Sequence, residues 1–207
     1  MNIKRISNNI ILLEFDSRLK MCKTLLRFSE YSESIHFAGK IFTIGEYREW
    51  YIKENGAFTY YDDWDGFNIE SNILKPFLNG LFDPLTKEEI EFLDLFKGAT
   101  NEFYIIAVCE GSEQSIFTHE LCHAIYGSYH DYKYMVNEII KKDGNDGMHI
   151  YIEKMGYHAR AFYDECNAYI VANVDDLRSD GIIIPTELEY KLKDLFQRQK
   201  KEIGITI

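Results

Sequence analysis

Ile116-Phe117-Thr118-His119-Glu120-Leu121-Cys122-His123-Ala124-Ile125-Tyr126-Gly127 is the stretch from which the rest of the chain is read. It contains the pattern H-E-x-x-H. On a helix each residue turns about 100°, so positions i and i+4 lie about 40° apart and one turn along. His119 and His123 therefore point the same way and can grip one tetrahedral metal. Glu120 flanks that face, where a carboxylate can take a proton from a metal-held water without being a ligand itself. Phe117, Leu121, Ala124 and Ile125 form an apolar stripe on the opposite side. The segment reads as an amphipathic helix with a reactive face turned to a cleft, started near Ser112, Glu113 and Gln114 and stopped by Gly127.

The remaining composition narrows the setting. A chain of 207 residues with 46% hydrophobic residues fits a single domain spanning 1–207 with a sizeable core. A net charge of −11 argues against nucleic acid and anionic membrane as partners. No apolar run approaches a membrane span, and the N-terminal apolar run is too short for a signal peptide, so a cytoplasmic location is expected. Cys22, Cys109, Cys122 and Cys166 show no C-x-x-C spacing and read as reduced thiols, with Cys122 and Cys166 as small core residues.

Along the chain, residues 10–15 and 41–44 read as strands, and 20–28 as helix or strand. Residues 46–54 read as a helix, and 57–61 has the aromatic, β-branched look of a strand. Asp62-Asp63-Trp64-Asp65-Gly66-Phe67 reads as an acidic turn, with a metal-binding loop as the sharper alternative. Thr86 and Glu89 make a capping box for a helix that stops at Gly98. Residues 103–108 are the strongest strand candidate. After the H-E-x-x-H helix the pattern is helical throughout: 131–142, 148–154 up to Gly156, 158–173 and 187–203. Strands before the motif and helices after it give an α+β pattern, with a small sheet in a mixed N-terminal region and a helical C-terminal part.

Two histidines leave a catalytic zinc one protein ligand short. His130, His149, His158, Asp164 and Glu165 are the candidates, with His36 far upstream. Glu165 is favoured by its surroundings: Ala161, Ala168 and Ala172 share its helical face, and small side chains let two helices approach closely enough for a shared metal.

H-E-x-x-H with a glutamate on a later helix resembles the gluzincin branch of zincin metallopeptidases. The separation of 42 residues from His123 to Glu165 is nearer to the lethal-factor and Pro-Pro endopeptidase group than to thermolysin-like enzymes. The motif plus Asp164-Glu165-Cys166-Asn167-Ala168-Tyr169 is also similar to small bacterial H-E-x-x-H proteins with a downstream D-E-x-x-A-Y. The resemblance covers roughly residues 103 to 173. It implies a zincin-like α+β fold, Zn2+ held by His119, His123 and Glu165, and hydrolysis of a peptide or protein substrate with Glu120 as general base. It also implies that an extended peptide pairs with the strand at 103–108, taken as a sheet edge. Where thermolysin-like enzymes have an aspartate four residues after the glutamate, this chain has Tyr169. Where the lethal-factor group has a tyrosine seven residues before it, this chain has His158, with Tyr157 alongside. Tyr157 is the preferred oxyanion donor because a phenol is neutral near pH 7; His158 and Tyr169 are the alternatives. Asp164 reads equally as a partner for a ligand histidine and as a surface residue. A zincin that cleaves one specific partner, as regulator or effector, and a non-catalytic zinc-dependent binding protein are the competing readings.

Overall fold

The fold is known from a computed structural model, which describes residues 1–144, 146–155, 157 and 159–205. The first half carries β1 (Asn2–Arg5), β2 (Ile10–Phe15), α1 (Arg18–Glu33), α2 (Ile44–Asn55), α3 (Tyr60–Asp63) and β3 (Gly66–Glu70). It continues with α4 (Lys75–Leu78), α5 (Lys87–Asp94) and β4 (Tyr104–Cys109). The second half is helical: α6 (Gln114–Ser128), α7 (His130–Asp143), α8 (Asp146–Lys154), α9 (Phe162–Ala172), α10 (Val174–Ser179) and α11 (Thr186–Glu202). Short 3-10 turns at Ser71–Leu74 and Ala159–Ala161 complete the set. This is an α+β architecture.

The sheet has the order β1-β2-β4-β3, with β2 parallel to β4 and both outer strands antiparallel to their neighbours. Side chains alternate across a strand, so the sheet feeds two cores. Ile10, Leu12, Tyr104, Ile106 and Val108 pack against α6, α7, α9 and α11. Ile11, Leu13, Phe67, Ile69, Ile105 and Ala107 face α1 and an aromatic cluster that includes Phe28, Phe77, Phe82 and Phe92. Both faces of β2 and β4 are thus largely buried, which explains the apolar runs at 10–13 and 104–109.

Several local expectations are met. Strand β2 falls at 10–15 as read. Thr86 and Glu89 form a reciprocal capping box on α5. The ambiguous stretch 20–28 is helix: Ser17 accepts from the Lys20 N–H at 3.2 Å, and Met21, Cys22, Leu25, Leu26 and Phe28 are buried at helical spacing. All four cysteines are free, with Cys122 and Cys166 buried in the core. The expected stop at Gly156 and the helix start at 158 lie outside the described residues.

Other expectations are corrected. Residues 41–44 are not a strand, because Thr43 caps α2 in a capping box with Glu46. Residues 57–61 are not one either; Tyr60 starts α3 and is buried among aromatic rings. Aromatic content there serves packing rather than a ladder. The acidic stretch ends in a strand, β3, whose ladder partners lie far downstream, from Gly66 opposite Val108 to Glu70 opposite Tyr104. Asp65 pairs with Arg18, and Asp63 accepts from Tyr51 and Thr59; the metal-capable group among the described residues is His119, His123 and Glu165 rather than this loop. The strand at 103–108 is internal, paired on both sides, and the sheet edge beside α6 is β3. Helix α6 starts from Glu113 without a side-chain cap, and Gly127 lies inside it rather than stopping it. Among the described residues, no helix is long and apolar enough to cross a membrane.

A buried ion pair fixes α1 against the segment leading to β4. Arg27 Nε donates to Glu89 Oε1 at 2.6 Å and Nη1 to the Phe82 carbonyl at 3.0 Å, with both side chains buried. Glu89→Ala leaves a buried guanidinium without its counter-charge and is expected to cost about 3–5 kcal/mol in urea unfolding. Arg27→Met combined with Glu89→Leu should cost far less. A single-mutant loss within about 0.5 kcal/mol, typical of a surface change, would contradict this assignment.

Candidate metal centre

Helix α6 packs its apolar stripe, Phe117, Leu121, Ala124 and Ile125, into the core. That leaves His119, Glu120 and His123 on a face turned toward α9 and β3. Helix α9 approaches closely because Ala168 lies in the interface, fully buried. His119 and His123 stand one turn apart with ring centroids separated by 4.9 Å. Glu165 brings Oε2 to 3.9 Å from His119 Nε2 and 3.8 Å from His123 Nε2. One ligand atom from each of the three residues lies within 4.8 Å of the others. Glu165 Oε2 is buried and receives no hydrogen bond. An orphaned buried carboxylate oxygen facing two imidazole nitrogens is unfavourable as it stands. Two imidazoles and a carboxylate form a donor set of the type that open zinc sites use, so the residues fit a divalent cation.

The far sides of both imidazoles are held. His119 Nδ1 lies 3.2 Å from Asn173 Oδ1 at the end of α9. Asn173 Nδ2 in turn donates to Asp176 Oδ2 at 3.2 Å, so Oδ1 is the atom turned to the histidine. His119 then carries its proton on Nδ1 and offers Nε2 to the cluster. His123 Nδ1 lies 2.9 Å from Asp164 Oδ1, although the approach is too bent for a straight hydrogen bond. Asp164, which the sequence leaves open between a partner and a surface role, belongs with His123. Asn173 was not foreseen; an asparagine closing a helix is ordinary, and only the fold brings it to His119.

The other described histidines do not join the cluster. His149 stacks on Phe162, and His36 packs near Trp50. His130 starts α7 and lines a neighbouring hollow with Asn9 and Glu102. His158 lies outside the described residues. Tyr157 precedes the turn into α9 and lines the same small cavity as the three candidate ligands. Its hydroxyl is 3.4 Å from that of Tyr169, whose ring stands edge-on to His119 at 4.8 Å. Tyr169 therefore packs against His119, one of the candidate ligands.

Two further residues were missed by sequence. Asn68 on β3 donates from Nδ2 to Glu120 Oε2 at 3.1 Å. Glu33, from the last turn of α1, enters both cavities at the centre. Neither carries a motif; each arrives through long-range packing.

Burial sets the protonation pattern. His119 is pushed down to about 3 by burial and then by His123, so it is neutral. Burial alone would lower His123 as well, but Asp164 and Glu165 override it and raise the group well above its ordinary range. Burial raises Glu165 to about 8, against the pull of His123. It raises Glu120 too, opposed by His123 and by the Asn68 donor. Confinement in the cleft, then the Glu165 charge, pushes Glu33 upward, although its side chain keeps solvent access. Tyr157 is raised well above its ordinary value by burial and the Glu165 charge and stays a neutral phenol.

Comparison of the chain with protein-family models, curated proteins and solved structures finds no match.

Because His123 and Glu165 both hold protons more tightly than usual, a metal must displace protons to bind. Zinc uptake is expected to release protons and to tighten as pH rises through the range in which Glu165, raised to about 8, and His123, raised well above its ordinary value, lose theirs. Calorimetry in buffers of different ionisation enthalpy, with chelator competition across pH, checks both. A pH-independent affinity would contradict the arrangement.

Proposed function

We propose that this chain is a zinc-dependent peptide hydrolase with a zincin-like site. The observation that carries the reading is the convergence of His119, His123 and Glu165 beside a separate, buried carboxylate, Glu120. A purely structural metal site has no use for a base held next to its ligands.

His119, His123 and Glu165 would hold the zinc, which when bound supplies acidified water and a polarised carbonyl. The chain's own groups supply the rest. Glu120, kept more basic by burial, accepts a proton and later gives it to the leaving amine. Tyr157 keeps its proton and can donate from its hydroxyl to oxyanion charge that develops near Glu165. Tyr169 steadies that phenol through the hydroxyl contact at 3.4 Å. Asn173 and Asp164 orient the two imidazoles. Strand β3, at the sheet edge and lining the cavity with Gly66, Phe67 and Asn68, offers unpaired backbone groups to an extended peptide. The outer groove of about 360 Å³ adjoins it, lined partly by Glu33, Tyr126, Lys133 and Arg160.

The chain as isolated should contain one zinc, and Glu165→Ala should lose it. Glu120→Gln should retain zinc and fold while hydrolysis falls about 10²–10⁴-fold, the usual worth of a general base. Metal analysis and cleavage of a proteome-derived peptide library by both proteins test this together. Zinc retained by Glu165→Ala, or hydrolysis undiminished in Glu120→Gln, would overturn the reading.

Tyr157→Phe removes only a donor, so kcat should drop roughly 10²-fold with KM almost unchanged. Steady-state kinetics on a substrate from that library decides the matter; an unaltered kcat would remove Tyr157 from the mechanism.

A further inference from the structure

Strand β3 turns Gly66, Asn68 and Glu70 toward α6, opposite Val108, Ile106 and Tyr104 of β4. These residues meet Glu120 in an ordered chain of contacts. Asn68 Nδ2 donates to Glu120 Oε2 at 3.1 Å, and the Tyr104 hydroxyl donates to Asn68 Oδ1 at 2.8 Å. A hydroxyl proton on Oδ1 fixes which way the amide faces, so its N–H groups must point at the carboxylate.

Two glycines make room for the chain. A Cβ at Gly66 would lie 2.6 Å from Glu120 Oε1 and 2.8 Å from its Cγ. A Cβ at Gly127 would lie 2.5 Å from Tyr104 Cε2. Neither glycine has positive φ, so close approach rather than backbone freedom requires them. Gly127 follows Glu120 by seven residues, close to two full turns, and so shares its helix face. Helix α6 therefore supplies both the carboxylate and the recess that seats the tyrosine ring.

We propose that Tyr104 and Asn68 are positioning residues for Glu120. They anchor Oε2 and leave Oε1, which no described donor reaches, as the oxygen that takes the proton. The proposal rests on the hydrolase reading for its catalytic consequence, while the hydrogen-bond chain itself can be observed without turnover.

The test combines kinetics with nitrogen-15 NMR of the zinc-loaded full chain. Asn68→Ala should lower kcat roughly 10²-fold, as expected for a reacting group displaced by about 1 Å, with KM and zinc content unchanged. Tyr104→Phe should lower kcat about tenfold by itself, the lower end for an outer partner, and by nothing further in the Asn68→Ala background, because it acts only through Asn68. Gly127→Ala should reproduce the Tyr104→Phe loss by displacing the ring. In the spectra, both Tyr104→Phe and Glu120→Ala should shift the Asn68 side-chain amide protons. Additive losses, a change confined to KM, or an Asn68 amide that neither substitution moves would overturn the proposal. If the amide shifts as expected and the wild-type chain cleaves no peptide, the chain of contacts stands and the hydrolase reading is what fails.

Discussion

One buried carboxylate oxygen, Oε2 of Glu165, has no hydrogen-bond donor and faces two imidazole nitrogens at under 4 Å. Burial raises Glu165 to about 8, because ionising that oxygen in a low-dielectric interior costs several kcal/mol unless a positive group compensates. His119 does not provide it, since burial keeps that ring neutral. A proton shared with His123 provides it in part, and a divalent cation would provide it fully. Much of the second half of the chain serves to maintain this arrangement. The fully buried Ala168 brings α9 against α6, and Asn173 and Asp164 keep the rings from turning away.

The same geometry explains why the site sits at the β3 end of the sheet. Its two faces feed separate cores, one beneath α6 and one beneath α1. Only at an outer strand can residues from both layers reach a common space. Ser29 and Glu33 come from one side, His119, Glu120 and His123 from the other, with β3 between them. Arg27, paired with Glu89 of α5, lies on α1 less than two turns from Glu33, so the position of that carboxylate depends on a contact remote from the histidines.

Legibility followed the range of the interactions. The helix that carries His119, Glu120 and His123 and its apolar stripe were plain because both depend on a local period of 3.6 residues. The approach of Glu165 to the two histidines was readable in part for the same reason, through Ala168 on its own face, whereas Ala161 lies in a 3-10 turn ahead of α9. Strand β3 was hidden because Asp62, Asp63, Asp65 and Gly66 read as a turn, while its register depends on residues at 104–108. Residues 57–61 look like a strand by composition, but Tyr60 is drawn into an aromatic cluster around Tyr47 and Phe67. Glu33, Asn68 and Asn173 are common residue types in unremarkable positions, and nothing short of the tertiary fold assigns them to the site.

Gly127 shows how one residue can satisfy two readings of which only one holds. After an apolar helix, a glycine ordinarily signals its end, and the following residues agree, since the helix continues only to Ser128. Yet Gly127 does not adopt the left-handed conformation that a terminating glycine would use. The Tyr104 ring occupies the space where its side chain would be. A helix-interior glycine costs roughly 0.5–1 kcal/mol relative to alanine, and here that loss is offset by seating a ring whose hydroxyl leads, through Asn68, back to the helix's own Glu120. Sheet and helix are thus coupled by polar contacts at the point where the chemistry would occur, in a region otherwise joined by apolar packing.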